Sequence, residues 1–127
     1  MSPEARNARG ILHFGYIVLP IAAGADKFVN VLTDWDKYVA PWFQDLLPFS
    51  TSTFMALVGV VEIAAGLIVA FRPRIGAWIV AGWLAVIILN LLALPEYWDV
   101  ALRDVGLLLG AVALGRLYGS ANQTATA

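Results

Sequence analysis

The stretch ALVGVVEIAAGLIVA, Ala56 to Ala70, is apolar or glycine at every position except Glu62. An isolated charge at the centre of a membrane helix costs about 2.5–3.5 kcal/mol. A carboxylate there is therefore either kept neutral or balanced by a cation, and it faces a neighbouring helix rather than lipid. Four more polar side chains interrupt apolar runs in the same way: Lys27, Asn90, Arg103 and Asp104. Together with Glu62 they form a candidate polar cluster. Two kinds of role suit it: a buried network that sets the register of the helices, or a polar pocket that binds a ligand head group or passes a proton. The partner expected for Glu62 is Arg103, with Lys27 the other candidate.

Other chemistry is excluded by residue type. With no cysteine in the chain, disulfides, thiolate metal sites and dithiol relays are ruled out. His13 is the only histidine, and no phosphate loop, Ser/His/Asp set or metal-ligand spacing accompanies it. No catalytic residue and no metal site is assigned, and no cofactor bound covalently or through metal ligands is expected. The eight Lys and Arg are scattered and the formal net charge is -1, which argues against nucleic acid as a partner.

The elements that position the cluster follow from composition. Of 127 residues, 61% are hydrophobic and 13% charged, about half the charge of an ordinary soluble domain. Apolar runs of about 20 residues, enough to cross roughly 30 Å of hydrocarbon, predict four transmembrane helices at residues 10–29, 53–71, 75–94 and 99–118. Pro73 and Pro95 fall in the short turns between them. The expected fold is all-α, a polytopic four-helix membrane bundle forming one domain over residues 1–127. An Arg-containing start, an apolar run and then AAGAD also suit a cleaved signal peptide, but the segment is read as a retained anchor.

Residues 30–50 are too polar to span and too aromatic for a slack linker. Thr33 or Asp34 can cap one short helix and Pro41 can open another that ends before Pro48. Both are expected to lie in the outer interface as a lid, with Trp35, Tyr38, Trp42, Phe43 and Leu46 turned toward lipid or the bundle. Arg6, Arg9, Arg72, Arg74 and Arg116 fall on one side of the four-span arrangement, which places both termini in the cytoplasm. The inner (cell) membrane is the expected location.

Helical spacing turns the cluster inward. Gly59, Glu62 and Gly66 share one face, Gly82, Val86 and Asn90 another, and Arg103, Gly106 and Gly110 a third. Gly59, Gly66, Gly106 and Gly110 are the expected helix-packing contacts, where small residues let backbones approach. Leu108 is expected to face lipid. On rise alone, Lys27 lies about 5 Å in from Asn30, and Glu62 lies about 13 Å in, near the midplane.

Four segments carry a resemblance: AAGADKFVN, YVAPWFQDLLP, VGVVEIAAGL and WDVALRDVGLLLGAVALGRL. In order and spacing they resemble the DoxX family of small bacterial and archaeal membrane proteins, over nearly the whole chain, with Lys27, Glu62, Gly66, Asp99, Arg103 and Asp104 on the matching positions. The resemblance implies a four-helix bundle and a link to quinone-coupled redox assemblies, although the lack of cysteine separates this chain from thiol chemistry. The leading expectation is a non-catalytic accessory subunit of a larger membrane redox or photosynthetic complex, with the bilayer and other membrane subunits as partners. The alternatives are a quinone- or lipid-binding subunit of an oxidoreductase, and a small transporter or proton pathway through Glu62.

Overall fold

A computed structural model describes residues 1–126 of the chain, with side chains described for residues 1–119. Among the described residues all regular structure is helical. The order is α1 (Pro3–Asp26), a 3-10 turn (Trp35–Tyr38), α2 (Pro41–Gln44), α3 (Thr51–Phe71), α4 (Pro73–Leu92), a second 3-10 turn (Pro95–Tyr97) and α5 (Trp98–Thr126). Three helices, α1, α3 and α4, are long and apolar enough to cross a membrane. The apolar run of the fourth expected span, α5, is broken by Arg103, Asp104 and Arg116.

Local chemistry sets the ends. Ser2 caps α1, its hydroxyl accepting from the Ala5 amide at 3.0 Å, and Pro3 and Glu4 follow in the first turn. This cap starts α1 well before the expected residue 10, because Ser and Pro at these positions satisfy and pre-shape a helix N-terminus. At the other end α1 stops at Asp26, earlier than the expected residue 29. The Asp26 carboxylate accepts from the Val31 and Leu32 amides and from the Trp35 indole at 2.9–3.2 Å. Asn30, in the left-handed region at φ 53°, carries the reversal. A side chain that captures loop amides competes with helix continuation.

Packing is most extensive within two pairs, α4 with α5 and α1 with α3. The α1–α3 pair is close because Gly24 and Gly59 meet there. The α3–α4 hairpin is tight at Gly76, where an added Cβ would lie 2.5 Å from the Val69 backbone. One apolar cluster, including Tyr16, Val69, Ala77, Leu84 and Leu114, fills the half of the bundle near the α3–α4 turn. A second, formed by Ala40, Leu91, Leu94 and Ala101, seals the opposite end. Around the outside, Ile11, Phe14, Leu67, Phe71, Ile75, Leu102 and Leu109 are exposed; together they make an apolar surface too extensive for a water-facing monomer.

The lid differs in detail from the two amphipathic helices expected. Its first piece is a 3-10 turn capped by Asp34, and α2 is a single helical turn ending at Gln44. What it buries most completely is Val39 and Ala40, whereas Trp42 and Leu46 are exposed. It is fastened to the bundle by Asp36, which accepts from Ser52 at 2.6 Å, and by ring contacts of Tyr38 with Tyr97 and of Phe43 with Phe54, at 4.8 and 5.2 Å between centroids.

Candidate functional site

Between the two apolar clusters lies a cavity of about 670 Å³. The five residues of the expected polar cluster all line it, and so do Trp35, Tyr38, Trp42 and Phe43 of the lid. Its floor includes Tyr16, whose hydroxyl donates to the Leu107 carbonyl and packs against Gly110. Its outer rim includes the exposed side chains Leu19, Val86 and Leu89, so the cavity communicates with the apolar exterior.

Within this shared wall the polar residues pair differently from the expectation. Glu62 binds Lys27, with Oε2 at 2.8 Å from Nζ, and not Arg103. The reason is the early end of α1. Because Gly24 and Gly59 meet, the Lys27 Cβ lies 3.2 Å from where a Cβ on Gly59 would stand. Gly59 is itself about 12 Å along α3 from Thr51 at about 1.5 Å per residue. Lys27 is thus far deeper than the roughly 5 Å that its distance from Asn30 suggests, and it reaches Glu62 directly. Both side chains are nearly fully buried, at 3% and 10% exposure. The Lys27 ammonium also lies 3.8 Å from the Trp35 ring centroid, a cation–π contact strengthened where water is excluded. Trp35 in turn donates to Asp26, so one chain of contacts ties the end of α1, the lid and the middle of α3.

Arg103 turns to its own neighbour, giving Nε and Nη2 to Asp104 Oδ1 at 3.2 and 3.1 Å. Its side chain is 64% exposed while that of Asp104 is 5% exposed. Adjacent helical residues do not share a face, so the long arginine folds back to cover a buried acid. Asn90 acts as a clip between the lid and α4. Its Oδ1 accepts from the Ala40 amide at 3.1 Å, and its Nδ2 donates to the Tyr38 carbonyl.

The glycine assignments are corrected in part. Gly59 and Gly66 lie against α1, and Gly110 against Tyr16, but a Cβ at Gly106 or Gly82 would meet nothing within 4 Å. Those two share a helical face with packed residues, yet both are exposed and look into open space. Gly24 and Gly76 make the contacts in their place. Leu108, expected to face lipid, is half-buried against the apolar cluster near the α3–α4 turn.

His13 also proves structural. Its Nε2 is 2.8 Å from the Val69 carbonyl, and its Nδ1 is 2.9 Å from the Tyr118 hydroxyl. The chain turns at Arg72 and continues with Pro73, so no backbone N–H follows to meet Val69 O. The imidazole donates to that carbonyl and accepts from the tyrosine, joining α1, α3 and α5. Among the described residues no group of three His, Asp or Glu side chains converges to hold a metal.

One residue of the cavity wall was missed in the sequence. Trp83 Nε1 is buried with no hydrogen-bond partner, the only such side-chain atom among the described residues. A tryptophan in mid-helix, whose N–H needs a partner when buried, was the available signal. Chemically, the site offers an apolar volume with a few polar groups on its wall, the composition of a small-molecule pocket, for which about 300–1,000 Å³ is usual. No family model, curated protein or solved structure matches this chain, so the DoxX resemblance rests on the motifs quoted above.

Proposed function

We propose that the protein is a four-span inner-membrane protein that holds one amphipathic, membrane-soluble molecule, a quinone or a lipid, in the outer half of its bundle. The observation that carries this reading is the cavity: about 670 Å³ in volume, mostly apolar, with the buried Lys27–Glu62 pair and Asp104 on its wall and an aromatic lid above. Exposed Leu19 and Val86 at its rim give a ligand tail a route from the hydrocarbon. In this reading α5 is the fourth span, with Asp104 shielded inside the bundle and Arg116 near the inner end, where its long side chain reaches the interface. The five arginines outside the cavity wall mark the cytoplasmic side, which holds both termini. The protein binds and presents its ligand, a role in keeping with a subunit of a larger membrane redox assembly and with the DoxX resemblance.

The test is purification in mild detergent followed by organic extraction and mass spectrometry. A stoichiometric amphiphile is expected with the native chain. It should be lost from Ala23→Trp, which fills the cavity from α1, with little change in melting temperature. A native chain that stays empty after extraction from its membrane and after reconstitution with total lipid overturns the reading.

A further inference from the structure

We infer that the lipid-facing surface of the α4–α5 seam, at the end of the bundle that carries the α3–α4 turn, binds one anionic glycerophospholipid, with Arg74 and Arg116 holding its phosphate. This site lies outside the cavity and does not depend on what the cavity holds. It rests only on α4 and α5 lying in a bilayer.

Two glycines of α5 build the seat. An added Cβ at Gly115 would stand 2.9 Å from the Trp78 indole, and one at Gly119 would stand 3.6 Å from Arg74 Nε. Arg74 and Trp78 are one turn apart on α4, as the two glycines are on α5, so both side chains lie across the neighbouring antiparallel helix. Arg116 comes three residues before Gly119, and residues so spaced are surface neighbours with Cβ atoms about 5–6 Å apart. Arg74 Nε therefore stands within about 10 Å of the Arg116 Cβ, a gap that the Arg116 stem and one phosphate close. Both arginines are exposed, so a ligand outside the bundle reaches them.

Charge gives the sign of the ligand. Among the described residues the ion pairs are Lys27–Glu62 and Arg103–Asp104, so neither Arg74 nor Arg116 meets an acid there. Residues 120–127 contain no acidic side chain. Two like charges side by side repel, most strongly beside a medium of low dielectric, and an anion between them reverses the sign of the interaction. Phosphate oxygens suit the forked N–H groups of guanidinium. A zwitterionic head brings an ammonium, which the same pair repels.

The apolar continuation of the seam makes the anion a lipid. Away from the arginines it presents Trp78 at 44% exposure and Leu109 at 65%, beside exposed Gly82, where a Cβ would meet nothing within 4 Å. Helical spacing keeps Arg74, Trp78 and Gly82 on one face of α4, and Leu109 and Arg116 on one face of α5. An acyl chain lies along this face while the phosphate stays at the boundary, with the Trp78 ring at head-group level. A water-soluble anion lacks the second contact.

The test is lipid retention measured by native mass spectrometry on the full chain in mild detergent, with phosphatidylglycerol and phosphatidylcholine of matched acyl chains as probes. One phosphatidylglycerol should be held about tenfold more strongly than phosphatidylcholine, within the range that charge-assisted hydrogen bonds supply. Arg74→Gln combined with Arg116→Gln should erase that preference with little change in melting temperature, since both side chains are exposed. Arg6→Gln, at an exposed position near the start of α1, should leave it intact; an equal loss there would show diffuse attraction to a basic end and overturn the site. Ala23→Trp, which fills the cavity, should also leave it intact, whereas loss in that variant would assign the lipid to the cavity and overturn the seam. Soluble glycerol phosphate and polyglutamate should fail to displace the lipid. Displacement by either would make the arginines a contact for a soluble anion or an acidic protein segment, and overturn the proposal. Equal retention of the two lipids by the native chain overturns it as well and leaves the cavity reading standing.

Discussion

Gly24 of α1 and Gly59 of α3 face each other so closely that a Cβ on either would stand 2.6 Å from the carbonyl oxygen of the other. This contact sets the depth of α1 against α3, and through it the meeting of Lys27 with Glu62. Alanine at either position collides with backbone, which cannot swing away as a side chain can. We expect Gly59→Ala to destabilise the protein by about 1–3 kcal/mol, the usual range for overpacking. Gly106→Ala and Gly82→Ala, which meet open space, should be neutral or stabilising by up to about 1 kcal/mol through helix propensity. Thermal unfolding in one detergent compares them, and equal shifts at Gly59 and Gly106 would refute the proposed contact.

The ion pair predicts a specific non-additivity. Removing one charge from a buried pair costs about 3–5 kcal/mol because the other is stranded, so Glu62→Gln should be strongly destabilising. Adding Lys27→Met should recover part of the loss, whereas adding Arg103→Gln should act independently. A double-mutant cycle measures both couplings. A coupling of Glu62 to Arg103 as large as that to Lys27 would contradict the geometry.

His13 is expected to matter for stability. His13→Phe keeps a ring but leaves the Val69 carbonyl and the Tyr118 hydroxyl without their partner, at about 1–3 kcal/mol for a buried group. Tyr118→Phe removes only one of the two contacts and should cost less. Melting curves that rank the two variants the other way would show that the carbonyl does not depend on the imidazole.

Sidedness can be read by labelling, since the chain has no native cysteine. Gln44→Cys in the lid and Arg72→Cys in the α3–α4 turn are both at exposed positions. An impermeant maleimide applied to intact cells should label the first, and should reach the second only after permeabilisation. The opposite pattern reverses the orientation, and labelling of both from outside would place the α3–α4 turn on the same side as the lid.

What the sequence determined by itself is the environment and the local elements. Long apolar runs with prolines near their breaks made α3 and α4 legible to within two residues at each end, with Pro73 opening α4 rather than lying in the turn, because burial in hydrocarbon and the loss of an N–H are decided locally. The same logic picked out Glu62, Lys27 and Asp104 as buried polar groups, and Trp35, Tyr38, Trp42 and Phe43 as the lid that shares a cavity with them. Tertiary structure decided who meets whom. Helical periodicity gives each side chain an angle and a height on its own helix, but not the offset of that helix against the next. That offset came from the Gly24–Gly59 contact and from Asp26 ending α1 by binding loop amides. It lowered Lys27 to the level of Glu62 and left Arg103 to cover Asp104, while the packing of the helices left Gly106 exposed and the Trp83 N–H buried without a partner.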